Sequence, residues 1–278
     1  MKSYLKLLQW EINRFGKFYA VLLLITALFQ MAGVSLFANN YMASVRQIME
    51  RESVAIAAVT KMTPLANFDN YTQQSLWFVG PIALCAGILV LYVFLTWYRE
   101  WFGKNTFAYR LFMLPVPRMQ IYLAKAVSIL LFVLGLVAVQ LLLIPLQALI
   151  FQSIIPEDLR KAYQFSQIIR NHPYLNLLAP RYFVQFILYY GAGIMGLLVI
   201  FTAILLERSY RVKGIIAGVV YVCAAGAVII SPLALTENWL RNYFYPSEIL
   251  GMFVVLGLLI CGFSLWLSAR LLQKKVSV

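Results

Sequence analysis

The 278 residues are 63% hydrophobic and only 12% charged, with a mean hydropathy of +0.81. Soluble domains carry about 25% charged residues, so this composition excludes a soluble globular protein and specifies an integral membrane protein. The net charge of +13 does not point to nucleic acid, because the basic residues fall between apolar runs rather than on one face.

In chain order, residues 1–17 form an amphipathic helix. Leu5, Leu8, Ile12 and Phe15 share one face, and Lys2, Lys6, Gln9, Asn13 and Lys17 the other. Such a helix is expected to lie on the cytoplasmic leaflet with its lysines toward anionic lipid, its polar side open to a protein partner. A crossing of a roughly 30 Å hydrocarbon core needs about 20 apolar residues. Six runs qualify: 18–38, 76–97, 121–153, 183–206, 214–235 and 249–271. The first is too long for the apolar core of a signal peptide and is expected to be retained.

The loop 39–74 reads as an outer-surface helix over 42–62 and contains a common Asn70-Tyr-Thr72 triplet. The third run exceeds what a crossing needs and predicts a tilted or protruding helix. Gln140 and Gln147 stand seven apart on it, on one face, with Pro145 between them. They either hydrogen-bond to other helices or line a translocation path. The loop 154–182, with Pro156, Pro173 and Pro180, predicts a short helix and an irregular return, with His172 in solvent. The fourth and fifth runs, joined only by 207–213, predict an antiparallel hairpin. Gly191, Gly193, Gly196 and the Gly214-x-x-x-Gly218 pair would allow close helix packing. The stretch 232–248 is aromatic-rich and suits an interfacial belt.

Orientation follows from Lys and Arg. With both termini cytoplasmic, the inner segments carry fifteen basic residues against Glu11, Glu100 and Glu207, while the outer segments hold eight basic and seven acidic residues. That is the positive-inside pattern. Lys125 counts with the inner segments, so the spans read as free of charge and offer neither an aspartyl dyad nor a proton relay. Cys85, Cys223 and Cys261 lie in apolar runs without CxxC spacing and read as small buried hydrophobes. One histidine and no H-E-x-x-H leave no ligand set for a catalytic metal.

The most informative stretch is the polar segment 98–118 between the second and third runs, running on to Lys125. It combines Glu100, Trp101, Lys104, Thr106, Phe107 and Arg110 with a Leu114-Pro115-Val116-Pro117-Arg118 corner. Gly103-Lys104-Asn105-Thr106 falls short of a phosphate-binding loop, because Tyr98 stands where Gly is needed and Asn105 where Ser or Thr is needed. The chain therefore has no nucleotide site by that route and is not expected to be an enzyme or to hold a cofactor; ATP would be bound by a partner subunit.

In this arrangement the chain resembles the permease subunit of bacterial type-2 ABC exporters, with Glu100, Lys104, Thr106, Leu114-Pro115, Arg118 and Lys125 at the positions that carry the likeness. The resemblance implies an all-α membrane protein forming one transmembrane domain over 1–278. It has six transmembrane helices, a cytoplasmic amphipathic N-terminal helix, both termini cytoplasmic, and a coupling helix between spans two and three. It implies docking to a cytoplasmic ABC ATPase, two copies per complex, through Glu100, Trp101, Lys104, Thr106, Phe107 and Arg110. Pro115, Pro117, Arg118 and Lys125 would form the coupling corner. It further implies a second permease, identical or paralogous, in a bacterial plasma membrane, and outward transport of an amphipathic or apolar cargo, a peptide, antibiotic or lipid. A non-transporting membrane scaffold or sensor is the alternative reading of the same features.

Overall fold

A computed structural model describes residues 2–53, 63–101, 116–162, 164–238 and 245–274. The described chain is all-helical: α1 Lys2–Glu52, α2 Phe68–Gln74, α3 Leu76–Trp101, α4 Arg118–Ile154, α5 Phe165–Asn171, α6 Pro173–Leu178, α7 Phe183–Tyr210, α8 Val212–Asn238 and α9 Pro246–Lys274. Six of these, α1, α3, α4, α7, α8 and α9, are long and apolar enough to cross a membrane. Helix is what such runs must form, since hydrocarbon offers no partner for a backbone N–H or C=O.

The distribution of side chains agrees. Leu28, Leu91, Leu142 and Leu258 face outward, whereas Thr26, Gln30, Gln140, Gln147, Thr202 and Ser268 are buried. A chain that hides its polar groups and exposes its leucines is built for lipid rather than water. It is a multi-pass membrane protein.

The expected boundary between an interfacial helix over 1–17 and a first span at 18 is absent: α1 runs unbroken through both and on to Glu52. No proline stands in it, and Gly16 alone costs only about 1 kcal/mol of helix propensity. At about 1.5 Å per residue it is some 76 Å long, more than twice a hydrocarbon core. The third apolar helix is likewise long, at 37 residues. Pro232 removes a backbone donor from α8, and Ser231 Oγ donates to the Val228 carbonyl thus released (2.8 Å).

The chain forms two compact units, one of residues 12–91 and 131–181, the other of 1–11, 92–130 and 182–278. In the first, Val34, Ala38, Phe78, Ile144, Ala148 and Phe151 belong to one core with Phe68, Tyr71, Leu159, Ile168 and Leu175. The described parts of the connecting segments are therefore packed against the core. Ala66 N–H donates to Leu159 O and Lys161 N–H to Ala66 O, both at 2.9 Å. Tyr41 OH reaches the Pro64 and Leu159 carbonyls. Helices α1 and α3 cross closely at Gly33, where an added Cβ would collide with Trp77 and stand 2.9 Å from the Tyr71 hydroxyl. Polar glue completes this unit. Gln30 Nε2 donates to Gln140 Oε1 (3.1 Å) and to the Phe78 carbonyl (3.2 Å), and Gln147 Nε2 donates to Gln30 Oε1 (2.9 Å). Of the two readings of Gln140 and Gln147, this is the interhelical one.

His172 is not in solvent, as its loop position suggests, but buried. It ends α5 and caps α6. Nδ1 accepts from Leu175 N–H (3.4 Å), and Nε2 meets the Thr72 carbonyl at 3.1 Å. A carbonyl needs a donor and an N–H needs an acceptor, so these two partners select the neutral tautomer with its proton on Nε2. Burial pushes the imidazole below its ordinary value, against smaller upward pulls from the Thr72 carbonyl and Asp69. The native state therefore prefers neutral His172. Its stabilisation is complete above the unfolded value of about 6.5 and is lost as pH falls below it. Thermal unfolding in detergent should show wild-type stability falling from about pH 7.5 to about pH 5, with His172→Gln less stable but flatter across that range. Parallel pH profiles for the two proteins would refute this account.

In the second unit, α7 packs against both α8 and α9. The expected hairpin is tighter than its sequence suggests: only Arg211, at φ 53°, separates α7 from α8. Gly214 and Gly218 do allow close approach, to the Glu207 and Ala203 backbones respectively, whereas a Cβ at Gly191, Gly193 or Gly196 would meet nothing within 4 Å. Thr202 Oγ1 pairs with Ser268 Oγ (2.9 Å), and Tyr221 with Ser264 (2.5 Å). Of the cysteines, Cys85 is buried as expected, but Cys223 is exposed and Cys261 half-buried. An apolar span buries only the face turned to its neighbours.

Candidate functional site: a buried ion triad where α1, α3 and α4 meet

The segment between α3 and α4 is flanked by the last turns of one helix and the first turns of the other. Lys125 lies seven residues into α4, about two turns, and its side chain is 0% exposed. A charge thus stands well inside an apolar helix, which corrects the expectation of charge-free spans. Lys125 Nζ reaches Glu100 Oε1 on α3 at 2.5 Å and Glu11 Oε1 on α1 at 2.6 Å. Its third donor goes to the Thr96 carbonyl at 3.1 Å. All three ammonium protons are satisfied, the condition under which a buried lysine is tolerable. The Trp97 ring, 5.5 Å from Nζ, forms a wall of the site. Trp97 in turn packs edge-on to Phe201 at 5.5 Å, as does Tyr122 at 5.4 Å.

Glu100 and Glu11 are 1% and 3% exposed. One ammonium therefore faces two carboxylates, and Glu11 Oε2 has no hydrogen-bond partner among the described residues. Both carboxylates stand in a desolvated place. Opposing charges here hold three helices in register: removing any one leaves an uncompensated buried charge or an empty donor.

A second anchor holds the same end of α3. Tyr98 OH donates to Glu207 on α7. The Arg208 guanidinium lies 4.9 Å from the Tyr98 ring centroid and 5.1 Å from that of Trp101. Trp101 stacks on Trp97 at 5.5 Å. On the other flank, Gln120 N–H donates to the Pro117 carbonyl (2.8 Å) as α4 begins, and Arg118 donates to the Leu272 carbonyl in the last turns of α9 (2.6 Å). That bond supplies a partner to one of the carbonyls a helix end leaves open.

Of the expected docking set, Glu100 is buried and its carboxylate meets Lys125. Trp101 is half-buried in the aromatic stack. Lys104, Thr106, Phe107, Arg110 and Pro115 lie outside the described residues. Pro117 and Arg118 stand at the start of α4, and Lys125, expected in the coupling corner, is the centre of the triad. Sequence reasoning passed over Glu11 in this role, although it lies on the apolar stripe between Leu8 and Phe15. It also passed over Gln30, the one amide in its apolar run.

The described residues hold no group of three or more His, Cys, Asp or Glu side chains able to bind a metal. What fold and site together define is an all-helical, multi-pass membrane protein whose α1, α3 and α4 are bolted by buried charge. Comparison with family models, with curated proteins and with solved structures gave no match.

Proposed function

We propose that this chain is the permease subunit of an ATP-driven exporter in a bacterial plasma membrane. It carries an amphipathic or apolar cargo, peptide-, antibiotic- or lipid-like, outward using ATP hydrolysed by a separate ABC ATPase. Both termini and the segment 102–117 face the cytoplasm in this reading, in keeping with the basic excess of the inner segments. The observation that carries it is the buried triad. A segment that receives work from a motor is useful only if its ends are fixed to the helices it must move. Glu100 and Lys125, on the two helices flanking that segment, are joined to each other and to Glu11. The coupling set then divides by task. Lys104, Thr106, Phe107 and Arg110 contact the ATPase, and Glu100, Lys125 and Glu11 pass its displacement on to the helices.

Co-purification with a candidate ABC ATPase co-expressed with this chain tests the division. Arg110→Glu is expected to weaken retention of the ATPase by about tenfold or more, the scale of a charged hot spot reversed. Glu100→Gln should retain the ATPase yet lose ATP-driven efflux in vesicles. An ATPase that binds without any ATP-dependent efflux would favour the scaffold or sensor reading. Undiminished retention in Arg110→Glu would remove the docking assignment.

A further inference from the structure

We infer a binding pocket for phosphate-bearing amphiphiles on the segment that joins α4 to α7. A cavity of about 390 Å³ opens there, lined by Phe165, Ser166, Ile169, Arg170, Asn176 and Arg181 among others. Its size is at the lower end of small-molecule sites, too small for a folded peptide and suited to a lipid headgroup with its first methylenes. The lining has two kinds of chemistry. Arg170 and Arg181 offer planar, permanently charged forks that match phosphate oxygens, and Ser166 and Asn176 add neutral polar groups. Phe165 and Ile169 supply an apolar wall. Among the described residues that line the cavity none is a carboxylate.

Position selects the ligand further. Arg181 precedes by two residues the start of the membrane-crossing helix α7 at Phe183, and Tyr182 and Phe183 are both exposed. Exposed aromatic residues at the end of an apolar helix mark the depth of the bilayer interface, where lipid phosphates lie. A two-arginine pocket at that depth meets phosphate groups that already carry acyl chains. In the proposed topology it belongs to the outer leaflet, where an exported amphiphile would arrive. Only that sidedness rests on the functional reading; binding itself requires neither ATPase nor transport.

Native mass spectrometry of the detergent-purified chain tests the pocket, with dioctanoyl-phosphatidylglycerol as probe and dioctanoylglycerol, which lacks the phosphate, as reference. R170Q/R181Q is expected to weaken phosphatidylglycerol retention by about tenfold, the loss of one or two charge-assisted hydrogen bonds, with dioctanoylglycerol unaffected. Asn176→Asp, which places a carboxylate in the exposed rim without touching either arginine, should weaken it in the same direction. Excess inorganic phosphate that fails to displace the lipid supports a lipid headgroup as occupant. Full displacement supports the same phosphate chemistry supplied by small phosphate esters. Equal phosphatidylglycerol retention by wild type, R170Q/R181Q and Asn176→Asp would overturn the pocket.

Discussion

Lys125→Met is expected to destabilise the protein by about 3–5 kcal/mol, the cost of leaving buried charge without its counter-charge. The substitution nearly preserves side-chain volume, so cavity formation contributes little. What it removes is the ammonium between Glu11 and Glu100, together with the donor to the Thr96 carbonyl. Two carboxylates then face each other in a place that excludes water. The carboxylates should not behave symmetrically with the lysine. Glu11→Gln or Glu100→Gln alone keeps an oxygen acceptor and leaves Lys125 facing the other carboxylate, so each should cost less than Lys125→Met. Glu11→Gln should be the milder of the two, since Glu11 Oε2 already lacks a partner among the described residues. The triple variant, combining Glu11→Gln, Glu100→Gln and Lys125→Met, should recover much of the loss, as a neutral core replaces a broken ionic one. Thermal unfolding of the detergent-solubilised chain, read as a mutant cycle, measures the coupling. A loss of about 3–5 kcal/mol corresponds to a fall on the order of 10 °C. Lys125→Met unfolding within about 1 °C of wild type would mean that the triad contributes no net stability.

The membrane helices are readable from sequence for a simple physical reason. Hydrocarbon demands long uninterrupted apolar runs, and those runs survive as α3, α4, α7, α8 and α9 with only their ends moved outward by a few residues. The ends move because helical hydrogen bonding continues into polar flanks, as at Tyr98–Trp101, where no proline or glycine stops it. The same continuity hides the true extent of α1: amphipathic at its start and apolar in its middle, it reads as two elements but has no breaker to divide them. Side-chain partnerships are harder to read. Glu11 and Lys125 are 114 residues apart, and a lysine near the foot of an apolar run looks the same in sequence whether it snorkels to water or turns inward. One local sign does distinguish Glu11, its place on the apolar stripe of α1. Gln30 carries a similar sign, since Thr26, Gln30 and Gly33 share a face of α1 that no lipid would favour. His172 gave no such sign, because its burial depends on Phe78 and Thr72, about a hundred residues away in the chain.

Gly214→Ala is expected to open the α7–α8 hairpin and lower stability by about 1–3 kcal/mol, the range of an overpacked core. The argument rests on what the new methyl would meet. A Cβ at this position stands 2.8 Å from Glu207 Cα and 2.9 Å from the Glu207 carbonyl oxygen, and collides with the Leu206 carbonyl. All three are backbone atoms, so no rotamer change relieves the contact; α7 and α8 must separate or Arg211 must leave its φ of 53°. Either movement displaces Glu207 and Arg208, which hold Tyr98 and Trp101 at the end of α3. The strain therefore reaches the second anchor at the end of α3. Two glycines on the same helix provide the scale. Gly218→Ala meets the Ala203 carbonyl at 3.0 Å and should cost less, while Gly226→Ala meets nothing within 4 Å. In a helix the latter should be neutral or slightly stabilising, since alanine is the better helix former by about 1 kcal/mol. The order expected from thermal unfolding is Gly226→Ala, Gly218→Ala, Gly214→Ala, from most to least stable. If Gly214→Ala proves as stable as Gly226→Ala, the close approach of α8 to the backbone of α7 does not constrain the protein.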